Sequence, residues 1–346
     1  MRNENINTTS VTPSAEEGFY TEINGSAFEH VINDDGSEYK FNPAWHCTGF
    51  ADSAHPRIPQ RDPNYVFSKS LLQDLLIFLL YPQGTALWLT GPTGCGKTSA
   101  VMQVASRLNW PVLDLTLNNR FEFTDLKGQW GLTQAEGQST PTMKFIYNAL
   151  PLAMRNGWIL VLNEADLASP GELSALNDVI EGHNLLIAEN QGEAVKPHPM
   201  FRLIVTGNSN GAGDESGLYQ GIQQQNVAAM DRYRMLTVDY PTEKVEEGIL
   251  ANVAGNIDKK LRAQMCRFVQ EMRKSFLGQG KGPSISIPFS TRSLVNWASA
   301  VQFYAMDKTP LKKALELFFL NKLSPEEREA ANAVAVTVFG EQWNAA

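Results

Sequence analysis

Long apolar runs, cysteine and positive charge are all scarce in this 346-residue chain. The strongest apolar stretch, residues 71–81, is too short to cross a bilayer and is interrupted by Gln73 and Asp74, so no membrane span is expected. The amino terminus, Met1-Arg2-Asn3-Glu4-Asn5, has no apolar signal core, so export is not expected either. Three cysteines, Cys47, Cys95 and Cys266, are scattered along the chain. That excludes a disulfide framework and points to a reducing, cytoplasmic setting. Lysine and arginine total 29 against 37 acidic residues, a net charge of −8, so there is no chain-wide basic footprint for nucleic acid. DNA translocation is disfavoured, although a ring pore can be basic locally. Hydrophobic content of 43% and charged content of 19% are ordinary, and the length allows two domains with a real core.

Against that background one motif stands out: Gly91, Pro92, Thr93, Gly94, Cys95, Gly96, Lys97 and Thr98, with Ser99 next, form a complete phosphate loop. The apolar run 86–90 before it reads as a buried strand, and residues 99–105 after it as a helix. The glycines let the backbone wrap an anion, and N–H groups at the helix start face its oxygens. Lys97 reaches the β- and γ-phosphates, and the Thr98 hydroxyl can ligate Mg²⁺. The chain binds a nucleotide.

Further apolar strands are expected at 111–117, 158–162, 201–206 and 234–238, alternating with helical patterns. This pattern indicates an α/β core with a parallel sheet of five strands, covered by helices on both faces. Residues 1–56 are poor in aliphatics and read as an extended or partly disordered arm, with Phe41, Trp45 and Phe50 available to dock on a partner or on the core. His46, Cys47 and His55 fit no zinc template. The core is expected over 57–240, with Ser68 capping a helix over 71–81 and Ser169-Pro170-Gly171-Glu172 forming a capping box. From 241 to 346 the pattern is purely helical, a small lid domain with helices near 242–252, 258–276, 291–306, 310–321 and 324–338. Gly278 to Pro283 form a glycine-rich loop between two of them.

The third strand runs into Asn163-Glu164-Ala165-Asp166. Glu164 suits a general base for the attacking water, while Asn163 stands where a carboxylate would better serve a hard cation. Asp166 could supply the missing charge, but an exposed loop acid is the preferred reading. Asn208, after the fourth strand, can hold the lytic water or report the γ-phosphate, or it can simply form a turn. Arg232, at the end of a polar helical stretch, can reach a neighbouring subunit's nucleotide or make a surface salt bridge. Arg234 is the weaker candidate because it begins a strand. Arg292, in the first turn of a lid helix, opposes the helix dipole and calls for an anion, either a phosphate or a carboxylate.

Taken together, these residues resemble the AAA+ ATPases, within them the MoxR-like and cobaltochelatase small-subunit group of dynein-related type. The resemblance is carried by Asp62-Pro63-Asn64-Tyr65-Val66-Phe67, by residues 195–203 leading into the fourth strand, by residues 213–221, by Met230-Asp231-Arg232, and by residues 290–298. It spans residue 57 to the lid and does not cover the arm. It implies that Lys97 and Thr98 are the Walker A pair, Glu164 the Walker B base, Asn208 sensor 1, Arg232 the arginine finger and Arg292 sensor 2. The family usually has Asp where this chain has Asn163. Residues 129–144 and 185–196 fall where the group carries an insert and a hairpin facing the ring centre, although plain surface hairpins would read the same.

The resemblance further implies ATP and Mg²⁺, a homo-oligomeric ring expected to be hexameric, and a partner with a von Willebrand A-type (vWA) adhesion site. The leading expectation is an ATP-hydrolysing motor that remodels a partner or client protein. Two alternatives stand beside it: the ATPase subunit of a cobaltochelatase-type metal chelatase, and an ATP-dependent assembly switch with little hydrolysis, which Asn163 motivates.

Overall fold

The computed structural model describes residues 20–344 apart from 43, 135–140, 215, 216, 218, 280–283 and 305. The first 19 residues of the arm, the tip of the 129–144 insert, part of 213–221 and most of the glycine-rich loop at 278–283 lie outside the described residues.

The five expected strands form one parallel sheet: Ala86–Thr90, Val112–Thr116, Ile159–Asn163, Arg202–Gly207 and Tyr233–Thr237. Side by side they run fifth, first, fourth, third, second. Their uniform apolarity follows from double coverage. Leu87, Leu89, Ile159, Val161 and Ile204 join a cluster with helices Lys69–Leu80 and Lys97–Arg107. Ala86, Trp88, Leu160, Leu162 and Val205 alternate to the other face, against helix Ala149–Asn156 and the segments around Leu173 and Val179. Side chains alternate with period two, so each strand feeds both cores.

The described part of the arm is ordered, and Phe41, Trp45 and Phe50 dock on the core, the second of the two expected readings. Tyr20–Asn24 pairs antiparallel with His46–Phe50, and Val31–Ile32 pairs with Glu38–Tyr39 and with Phe67–Ser68. Phe28, Val31, Cys47 and Phe50 are buried in the same cluster as the sheet, and the Phe50 N–H donates to the Leu108 carbonyl. A few aromatics, each burying a large area, outweigh a polar composition. His46, Cys47 and His55 go separate ways: Cys47 is buried, His46 bonds Asn24, and the His55 ring packs on Trp158.

The helical part comprises Glu243–Val253, Lys259–Phe276, Thr291–Val301, Pro310–Phe318 and Pro325–Phe339, around a core that includes Phe268, Phe289 and Trp297. Two expected helices end early, in 3₁₀ turns at Gln302–Tyr304 and Leu320–Lys322. The Ser169 box is absent: Ser169 makes no capping bond, and Glu172 instead accepts from the Phe123 N–H. Ser68 is the N-cap residue of its helix, again without a side-chain capping bond.

Both candidate inserts are antiparallel hairpins, Gly128–Thr133 with Thr142–Tyr147 and Leu185–Ile187 with Glu193–Val195. They are fastened together by the Trp130 indole donating to the Glu189 carbonyl (2.8 Å) and by the Lys127–Glu189 ion pair (2.6 Å).

Candidate functional site

The phosphate loop is shaped by three glycines at positive φ: Gly91 (147°), Gly94 (75°) and Gly96 (103°). A side chain at Gly91 would strike the Val238 carbonyl, and one at Gly94 would strike Ser290 at the head of a lid helix. Any other residue would therefore be both strained and obstructed. The loop opens on a cavity of about 690 Å³, a size suited to a nucleotide, lined among others by Tyr65, Cys95, Gly96, Val245 and Arg292. Arg292 is exposed in the first turn of helix Thr291–Val301, and among the described residues no carboxylate pairs with it.

Lys97 folds back on its own loop, donating to the carbonyls of Gly91 (2.6 Å) and Pro92 (3.1 Å) and to Asn208 Oδ1 (3.3 Å). Burial pulls its pKa below the ordinary lysine value, against the opposing pull of Cys95, Asp166 and Glu164. Burial pushes the neighbouring Cys95 thiol up, so this thiol stays neutral. Thr98 Oγ1 donates to Asn163 Oδ1 at 2.6 Å, and Thr206 Oγ1 donates to the same oxygen at 3.3 Å. Glu164 is exposed beside them, with its backbone in the left-handed region (φ 54°, ψ 39°). Asn208 Oδ1 also accepts from Thr93 Oγ1 (3.2 Å). Lys97, Thr98, Asn163, Glu164 and Asn208 thus meet at the C-terminal ends of adjacent strands, the usual ligand edge of an open parallel sheet.

One residue needs correction, and the helical stretch before a second is shorter than expected. Asp166 is not an exposed loop acid; it is fully buried, because the 3₁₀ turn Ala165–Leu167 tucks it beneath the neighbouring strand end. The polar stretch before Arg232 is a single helical turn, Val227–Met230. Arg232 pairs with Glu181 at 2.6 Å and donates to the Ala228 carbonyl. Arg234 donates to the Pro82 carbonyl and to Gln83.

Residues 86–224 match the AAA domain family of the dynein-related subfamily. Aerobic cobaltochelatase subunit CobS of Sinorhizobium sp is 30% identical over 276 residues, covering 78% of this chain and 80% of that protein. The chain belongs to the dynein-related AAA ATPases. Denitrification regulatory protein NirQ of Stutzerimonas stutzeri is 32% identical to this AAA ATPase over 197 residues, covering 56% of the chain and 66% of NirQ. Gas vesicle ATPase GvpN of Haloferax mediterranei is 28% identical over 205 residues, covering 55% of the chain and 57% of GvpN.

Two residues of this AAA ATPase site, Thr206 and Tyr240, were not singled out from the sequence, and a third, Asp166, was singled out with the wrong placement. Thr206 accepts from the Glu164 N–H (3.4 Å) and donates to Asn163, tying two strand ends together. Tyr240 donates its hydroxyl to the Thr93 carbonyl (2.8 Å). Asp166 accepts from the backbone of Asn208 and Ser209. A hydroxyl ending an otherwise apolar strand was the available signal for Thr206; the other two depend on tertiary contacts.

Asn163 is 9% exposed and has no charge to offer a cation. Asn163→Asp should raise turnover about three- to tenfold at saturating Mg²⁺, since a carboxylate organises a hard cation better than an amide. Phosphate release across a Mg²⁺ titration checks this. Equal rates at every Mg²⁺ concentration would show that position 163 does not govern the ion.

Proposed function

We propose that this AAA ATPase works as a homo-oligomeric ring, hexameric and cytoplasmic, that couples ATP hydrolysis to remodelling of a partner or client protein. The supporting observation is the position of Arg232. The Arg232 carbonyl accepts from the N–H of Ala86, at the start of the first strand, whereas the phosphate loop follows Thr90, at its end. At about 3.3 Å per residue, roughly 13 Å of sheet separates them. A partly exposed guanidinium there is remote from its own phosphate loop, and on leaving its pair with Glu181 it would be placed to complete a neighbour's pocket. Heterologous contacts of this kind close into rings.

In this reading Gly91 to Ser99 cradle the phosphates, Lys97 shifts from loop carbonyls to phosphate oxygens, and Glu164 takes a proton from the attacking water. Asn208 holds that water or the γ-phosphate, and Arg232 of the adjoining copy and Arg292 balance the charge that builds on the transferred group. Thr98 Oγ1 and Asn163 Oδ1 are oxygen donors 2.6 Å apart, a set that fits Mg²⁺ brought in with ATP. That ion, when bound, neutralises charge on the β- and γ-oxygens. The paired hairpins carry the exposed apolar side chains Leu132, Met143 and Leu186, suited to touching a client, and a vWA-type protein is the proposed partner.

Arg232→Ala should bind ATP normally and lose at least about a hundredfold in turnover. Mixing it with Lys97→Ala, whose own pocket is defective, should restore activity, because mixed rings contain intact pockets facing intact fingers. Absence of any restoration, with mixed assembly demonstrated, would rule out action in trans.

A second reading, the ATPase subunit of a metal chelatase, is favoured by the similarity to CobS across 80% of that protein. ATP-dependent cobalt insertion into a corrin-type macrocycle, on addition of a large chelatase subunit, would decide for it.

A further inference from the structure

We infer that Asp166 is a positioning residue for hydrolysis, a buried clamp whose carboxylate sets where the Asn208 side chain lies. This rests on the reading of Asn208 as the group that meets the lytic water or γ-phosphate. Asp166 is fully buried, and its Oδ2 accepts from the N–H of Asn208 (2.6 Å) and from the N–H of Ser209 (3.0 Å). Its main-chain carbonyl is itself held by the Gln223 N–H (2.7 Å), so the clamp is anchored behind as well as in front. From the other side the Trp88 indole donates to the Ser209 carbonyl (3.0 Å). Residue 207 must be small. A Cβ there would lie 3.1 Å from the Asp166 carboxylate and 3.2 Å from the Trp88 ring.

The clamp acts on the backbone, and the effect appears at the side chain. With the N–H groups of 208 and 209 fixed, the Asn208 amide reaches Lys97 Nζ and Thr93 Oγ1, the two groups nearest an incoming phosphate. What the clamp requires at this place is an acceptor oxygen for two N–H groups, and the carboxylate supplies it from a fully buried position despite the desolvation penalty. Its second oxygen, Oδ1, is buried without a hydrogen-bond partner among the described residues, so they do not close a structural network around Asp166. A side chain kept under those terms serves the segment it holds.

The test compares Asp166→Ala, Asp166→Asn, Gly207→Ala and Asn208→Ala by steady-state ATP hydrolysis, fluorescent ATP-analogue binding and thermal melting. Asp166→Ala should lower kcat about ten- to a hundredfold with KM and nucleotide affinity within about twofold. Asp166→Asn keeps an oxygen for the two N–H groups and should recover kcat to within about threefold of wild type. The double variant Asp166→Ala/Asn208→Ala should be no slower than Asn208→Ala alone. Wild-type kcat in Asp166→Ala, a loss confined to KM, no recovery in Asp166→Asn, or multiplied losses in the double variant would each overturn the clamp. If Asp166→Ala fails to fold, Gly207→Ala pushes a methyl group against the Asp166 carboxylate and the Trp88 ring and so displaces the clamp itself. It should lower kcat with KM within about twofold, whatever small fall in melting temperature the crowding brings, and unchanged kcat there would overturn the clamp. Wild-type turnover in Asn208→Ala would instead refute the role given to Asn208, a distinct result.

Discussion

Glu164→Gln should bind ATP within about twofold of wild type and hydrolyse it at least about a hundredfold more slowly. The expectation follows from how the residue is held. Its backbone N–H is tied to Thr206, its neighbour Asn163 is buried, and its own side chain is exposed with no hydrogen bond to any described residue. A carboxylate left free at the ends of two adjacent strands can accept a proton from water, and the isosteric amide cannot. Residue 164 adopts a left-handed backbone, costly for any side chain, and glutamine bears the same cost as glutamate. The melting temperature should therefore stay put while turnover collapses, separating chemistry from stability. Phosphate release in a single turnover, beside nucleotide binding on the same preparation, makes the measurement. Undiminished turnover would place the base elsewhere.

Glu246→Ala should have the largest effect on stability, about 3–5 kcal/mol in chemical denaturation. Glu246 is fully buried and Arg273 is 3% exposed. They form a two-pronged pair, with Nη1 to Oε2 at 2.9 Å and Nη2 to Oε1 at 2.7 Å. Thr291 donates to Glu246 (2.8 Å) and Gln270 donates to it as well. Removing the carboxylate leaves a guanidinium in the interior whose remaining partners among the described residues are the Phe289 carbonyl, the Thr291 hydroxyl and the face of the Tyr240 ring. Glu246→Leu combined with Arg273→Met should regain most of the loss, because both desolvation penalties vanish together. A single-variant loss below about 1 kcal/mol would mean that the pair is not closed to water. Since Thr291 begins the helix that carries Arg292, nucleotide affinity should fall with the single change.

Much of this architecture was legible in the chain because its strands are uninterrupted apolar runs. The five expected strands match the observed ones to within one residue at either end. Two Ser-x-x-Glu stretches, one at Ser169 and one at Ser324, show where local patterns stop deciding. Ser324 and Glu327 exchange both bonds at the head of Pro325–Phe339. Ser169 and Glu172 have the same spacing, yet the Phe123 N–H, distant in sequence, takes the glutamate. In the arm the docking aromatics were legible but its strand pairing was not: polar residues separate Phe41, Trp45 and Phe50, so no single window looks like core. Asp166 was hidden for another reason. Nothing in Asn163-Glu164-Ala165-Asp166 reveals that the next turn folds beneath the adjoining strand. At Arg232 the chain showed the residue type but not its distance from its own phosphate loop, which only the pairing of the first and fifth strands sets.

Tyr240 stands where the sheet hands over to the helices, its hydroxyl on the Thr93 carbonyl and its ring 4.1 Å beneath the Arg273 guanidinium. The phenol is therefore a crossbar, joining the anion-gripping loop to the buried Arg273–Glu246 pair and, through Thr291, to the head of the helix that bears Arg292.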